Sequence, residues 1–93
     1  MQIEWDERKN IVNIRKHGLD FADAQEVFDG PMLVKMDTRM NYGEDRWIGL
    51  GNLHGIVVVL VYTESEDSDV IRILSIRKAT KNEREYYQKK ISD

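Results

Sequence analysis

The stretch Ile56-Val57-Val58-Val59-Leu60-Val61-Tyr62 is apolar at every position. A strand built from it carries apolar side chains on both faces, so it belongs in the middle of a sheet that is covered on both sides. The run is too short to cross a bilayer. From residue 32 the period of the apolar residues changes from helical to that of strands.

Around this strand the rest of the chain divides into short elements. Ile3-Glu4-Trp5 reads as a strand, and Asp6 caps a helix that runs to His17 and stops at Gly18. Trp5 and Val12, with Ile11 and Ile14, are the expected inward residues. Asp20 caps a second helix with Phe21, Ala24, Val27 and Phe28 on its inner side and Leu19 stapled against Ala24. Gly30-Pro31 ends it. Strands are expected over 32–36, 46–50 and 70–77, with a polar connection over 37–45, a turn at Asn52-Leu53-His54-Gly55 and an acidic loop over 64–69. Gly49 and Gly51 fall on one face of their strand, which suggests a bend or a close backbone approach. Thr80-Lys81-Asn82-Glu83 is a capping box that opens a last helix, with Tyr87 and Ile91 facing inward. The order β-α-α-β-β-β-β-α predicts an α+β fold, an antiparallel sheet with helices packed on it.

At 93 residues the expectation is a single domain over 1–93. A core of that size is marginal, so the chain depends on dense packing or on a partner. There is no cysteine, and the first residues have no basic segment leading into an apolar one. Both point to a soluble protein of a reducing compartment, the cytoplasm, with no membrane association.

The net charge of −3 is unlike that of a typical nucleic-acid binder, but it is unevenly spread. Residues 1–71 hold seven Lys/Arg against fourteen Asp/Glu, while residues 72–93 hold seven against three. The tail is thus a candidate anion site, or a solvated helix of mixed charge.

No glycine-rich phosphate loop, zinc-binding His/Glu pair, nucleophile elbow or cofactor motif is present. His54 falls in a turn and reads as a surface residue. His17 closes the first helix, where the dipole favours a cation, and imidazole is also the usual group for proton transfer near neutral pH. Arginines stand out in the strands: Arg46 opens one, Arg72 lies within Val70-Ile71-Arg72-Ile73-Leu74, and Arg77 ends the same strand. A guanidinium there needs either an internal carboxylate or an external anion, and its fork of donors suits phosphate. Arg72 and Arg77 are five apart, which puts them on opposite faces of a regular strand unless a bulge intervenes. Arg77 meets the N-terminus of the last helix, which also favours an anion. Tyr42 and Tyr86 are the aromatics expected to be exposed, whereas Trp47 and Tyr87 are expected in the core.

Four stretches together resemble the BrnT toxin family: Arg15-Lys16-His17-Gly18-Leu19-Asp20-Phe21, Ala24-Gln25-Glu26-Val27-Phe28, Tyr42-Gly43-Glu44-Asp45-Arg46-Trp47-Ile48-Gly49, and Arg72-Ile73-Leu74-Ser75-Ile76-Arg77-Lys78-Ala79-Thr80 followed by Glu83, Arg84 and Tyr87. They occur in the family's order over nearly the whole chain. The resemblance implies a RelE-like fold, a bacterial type II toxin that cleaves cellular RNA and inhibits translation, and a BrnA-like ribbon-helix-helix antitoxin. Operator DNA would be met only through that antitoxin. Cleavage without a metal needs a base, an acid and positive charge at the phosphate. On this reading Arg77, Arg46 and Arg72 stabilise the phosphate and His17 moves the proton, with Glu83 a weaker alternative. Lys78, Lys81, Arg84 and Tyr86 bind the RNA. The competing readings are a non-catalytic binding module and an inactive co-repressor that acts through its antitoxin.

Overall fold

The computed structural model describes residues 1–67 and 69–92; Ser68, in the acidic loop, and Asp93, in the basic tail, lie outside the described residues. Five strands, β1 (Gln2–Trp5), β2 (Leu33–Met36), β3 (Trp47–Leu53), β4 (Ile56–Glu64) and β5 (Val70–Lys78), form one sheet in the order β1-β5-β4-β3-β2. Helices α1 (Glu7–His17) and α2 (Ala24–Asp29) are joined by a 3-10 turn at Phe21–Asp23, and α3 (Lys81–Ser92) follows β5. The wholly apolar segment is the central strand β4, as its pattern requires. None of the described helices is long and apolar enough to cross a membrane.

The fold is α+β, but the sheet is mixed and not antiparallel throughout. Strands β2 to β5 form an antiparallel meander, while β1 runs parallel to β5, with Ile3 opposite Ile71 and Trp5 opposite Ile73. A parallel pair needs a long crossover, and here everything from α1 to β4 lies between the two strands. The β3–β4 hairpin turns on His54 and Gly55, both at positive φ, the geometry that matches the twist of paired strands.

One face of the sheet carries the main core, where Phe21, Ala24 and Val27 pack over Val58, Leu60, Tyr62, Ile71, Ile73 and Ile76, all buried. α3 contacts β3 and β4, and the Tyr87 hydroxyl donates to the Pro31 carbonyl at 2.7 Å. Val57 and Val59, on the face of β4 opposite the main core, are buried as well. Ile91 is exposed, so only Tyr87 of the expected pair faces inward.

Gly51 shows why glycine is required in β3, because a Cβ there would run into Cγ1 of the fully buried Val27. Gly51→Ala is expected to destabilise the fold by about 1–3 kcal/mol, the usual cost of overpacking, read as a lower urea midpoint.

Helix α1 departs from the expected pattern. Ile11, Val12 and Ile14 are exposed, and the buried residues are Asn10 and Asn13. The amide of Asn10 donates to Asp20 and accepts from the Phe21 amide, each at 2.9 Å. Asn13 donates to the carbonyls of Leu19 and Ile76, each at 2.9 Å, and accepts from Ile76 N–H at 3.2 Å. These bonds satisfy backbone groups that no strand or helix satisfies, which outweighs the gain from burying an aliphatic face.

Candidate active site

The geometry begins with a bulge in β5. Val61 faces Ser75 and Tyr62 faces Ile73, so Leu74 is an extra residue on β5. The buried residues accordingly step by two from Ile71 to Ile73 and by three to Ile76. Arg72 and Arg77, opposite Thr63 and Val59, therefore share one face of the sheet despite their odd spacing.

Asn13 brings the end of α1 to this strand. β1 pairs with β5 only as far as Ile73, so the outer edge of Ile76 is free and Asn13 occupies it through both backbone groups. His17 lies one helical turn beyond Asn13 on the same side of α1. The result is a cleft of about 540 Å³ lined by Lys16, His17, Arg77, Lys78 and Thr80. A second cavity of about 530 Å³ opens on the other side of Arg77, where Lys35, Arg39, Glu83 and Tyr86 surround an apolar floor that includes Leu50 and Val59. Arg77 lines both.

Arg77 is already engaged. Its two terminal nitrogens donate to the Glu83 carboxylate at 2.8 and 2.9 Å, and Nη1 also donates to the Lys78 carbonyl at 3.2 Å. Glu83 completes the capping box by accepting from the Thr80 amide at 2.8 Å, while the Thr80 hydroxyl accepts from Glu83 N–H at 3.2 Å. The Arg77 guanidinium holds the Glu83 carboxyl down at about 2, against an ordinary value of 4.5. Glu83 in turn raises Arg77, and the nearby charge of Arg39 opposes that rise. A carboxylate so depressed adds stability that is complete above about 4.5 and disappears as the pH falls towards 2. Wild-type stability should therefore drop across that window, and Glu83→Gln should flatten that part of the profile in pH-dependent urea unfolding.

The other predicted residues fall in three places. Arg46 and Arg72 lie in one row across the sheet with Thr63 between them, since Trp47 faces Tyr62 and Arg72 faces Thr63. The row is four β4 residues from Val59, roughly 13 Å from Arg77 at 3.3 Å per residue. Arg46 pairs with Glu44 at 3.2 Å and stacks on half-buried Tyr42 at 4.0 Å, and Arg72 pairs with Glu4 at 3.4 Å. Each arginine thus has its own carboxylate, and neither lines the clefts beside Arg77. Lys78 and Tyr86 do line them, and Tyr86 is exposed as expected, with Lys90 5.8 Å from its ring centre. Lys81 and Arg84 are exposed on α3 and line neither cavity. Trp47 packs against the core, and His54 is a surface residue paired with Glu26.

Lys16 and Arg39 were not legible as site residues. Lys16 precedes His17 in a basic last turn, a signal that a dipole accounts for equally well. Arg39 lies in the irregular connection, clamped by Asp37 at 2.7 and 2.8 Å, and its guanidinium holds the Asp37 carboxyl far below the usual range.

A small α+β domain with a cleft of three cations and an imidazole where a helix end meets a strand offers a site to an anion. The family described as "Ribonuclease toxin, BrnT, of type II toxin-antitoxin system" matches residues 5–83. The 1.1 Å crystal structure of the Brucella abortus ribonuclease toxin, BrnT, is 34% identical, with a TM-score of 0.67, and the match covers 87% of this chain and 99% of that one. No curated protein matches. The chain belongs to the BrnT family of ribonuclease toxins of type II toxin–antitoxin systems. That membership implies an RNA target and an antitoxin partner.

Proposed function

We propose that this chain, as one toxin domain over 1–93 with a RelE-like fold, is a metal-independent endoribonuclease that cuts cellular RNA in the cytoplasm and so inhibits translation. A BrnA-like ribbon-helix-helix antitoxin silences it and carries the pair to operator DNA. The observation that carries this reading is the shared cleft of His17, Arg77, Lys16 and Lys78, an imidazole beside three cations.

In the reaction, His17 takes the proton of the 2′-hydroxyl and the 2′-oxygen attacks phosphorus. Arg77, with Lys16 and Lys78, stabilises the five-coordinate phosphate; the P–O5′ bond then breaks as the 5′-oxygen takes a proton from solvent, and His17 gives the proton it took back to solvent. The products are a 2′,3′-cyclic phosphate and a 5′-hydroxyl. Tyr86 offers a ring to a base in the adjoining cavity. Glu83 orients Arg77 in this scheme, since a carboxylate held at about 2 is a poor base near neutral pH. Arg46, Arg72, Lys81 and Arg84 serve RNA further from the scissile bond.

The ion pairs of Arg46, Arg72 and Arg77 favour the second reading, a non-catalytic binding module or inactive co-repressor, because paired guanidiniums need no phosphate. Expression without a partner separates the readings, with growth arrest expected for the toxin and none for the others. In vitro, cleavage of RNA should persist in EDTA, and its abolition by EDTA would overturn the metal-free mechanism.

A further inference from the structure

The cleft holding His17 does not end there. It continues into a groove of about 390 Å³ between α1 and β5, and the two share Lys16 and His17. The groove is lined by Arg8, Lys9, Val12, Lys16 and, at the β5 bulge, Leu74 and Ser75. Every ionisable residue lining it is a cation or His17, although residues 1–71 as a whole carry twice as many acids as bases. Glu7 and Asp6, the nearest acids in sequence, are engaged elsewhere: Glu7 accepts from the Trp5 indole N–H at 3.0 Å, and Asp6 accepts from the amides of Arg8 and Lys9. Among the described residues none of Arg8, Lys9, Lys16 or His17 makes an ion pair, in contrast to Arg39, Arg46, Arg72 and Arg77. The cations run along α1 for about 12 Å at 1.5 Å per residue.

We infer that this groove is a track for the single-stranded RNA flanking the scissile phosphate. Arg8, Lys9 and Lys16 contact successive phosphates, and the apolar sides of Val12 and Leu74 lie against a base. Unpaired cations beside an apolar wall suit a chain of alternating phosphates and flat bases. The same geometry accounts for the exposure of Val12, which covers no core. The choice of RNA as ligand rests on the ribonuclease reading.

The test uses a fluorescent 2′-O-methyl oligonucleotide, which can be bound but not cut, with anisotropy measured over a range of salt concentrations. The triple variant Arg8→Ala, Lys9→Ala, Lys16→Ala should reduce the slope of log K against log salt by about 2 and weaken binding on the order of hundredfold at 0.1 M salt. The control Arg15→Ala, Lys89→Ala removes two exposed cations that line none of the cavities described, and should change binding far less per charge removed. Unchanged binding by the first variant, or equal loss per charge in both, would overturn the track. Displacement of the oligonucleotide by oligoglutamate at equal charge would assign the groove to an acidic polypeptide and also overturn it. Wild-type protein that binds with the expected slope but cuts no unmodified RNA would leave the track standing and remove the ribonuclease reading.

Discussion

Arg77→Ala is expected to lower the rate of RNA cleavage by about 10²–10³, the usual effect of removing one preorganised donor from a developing oxyanion. Arg77 lines both cavities, and its strand is fixed by pairing with β4 on one side and by Asn13 on the other. It also ties β5 to α3 through Glu83, so loss of activity alone would not distinguish chemistry from architecture. Glu83→Gln makes that distinction. It removes the charge of the ion pair but keeps an amide oxygen that can still orient the guanidinium, so it should retain cleavage or increase it, because phosphate no longer competes with a carboxylate for the same donors. Equal loss in the two variants would reduce Arg77 to a structural clamp. Loss in Glu83→Gln alone would transfer the chemistry to the carboxylate.

The parts of the fold that were legible in the sequence are those set by local rules. The unbroken apolar run of β4, the capping box of Thr80 and Glu83, the Gly18 stop and the close approach at Gly51 each follow from what neighbouring residues must do. The parallel pairing of β1 was not legible, because four residues at a sheet edge carry no sign of direction. The Leu74 bulge was legible only as a condition: two arginines five apart share a face if one residue is extra, and nothing local says that one is. In the site, Arg77, Lys78 and Tyr86 fall beside one another because the junction of β5 and α3 is locally specified, whereas His17 reaches Arg77 and Lys78 only through the bonds of Asn13. Arg46 and Arg72 do not join them, since their neighbours across the sheet depend on register alone. The apolar residues of α1 misled for a different reason. Hydrophobic periodicity assumes that burial is driven by apolar area, whereas at this helix the unsatisfied backbone at Ile76, Leu19 and Phe21 decides which side faces inward.

Asn13→Ala should show how large that decision is. The substitution leaves Ile76 N–H, Ile76 C=O and Leu19 C=O without their amide partner at a position that is 6% exposed. With each orphaned group costing about 1–3 kcal/mol, the expected loss is about 3 kcal/mol or more. For a domain of this size that lowers Tm by at least about 12 °C. Val12→Ala, one residue away, should change stability by no more than about 0.5 kcal/mol, because Val12 is exposed and covers no core. Asn13→Asp refines the comparison. It keeps an acceptor for Ile76 N–H but turns a carboxylate towards two carbonyls, so it should be as damaging as alanine at neutral pH and partly recover in acid, where the protonated form donates once. The same bonds hold the His17 end of α1 against β5. Protein that is still folded at low temperature should therefore cleave more slowly in Asn13→Ala than in Val12→Ala, and equal melting temperatures for those two variants would mean that the inner face of α1 is set by something other than its asparagines.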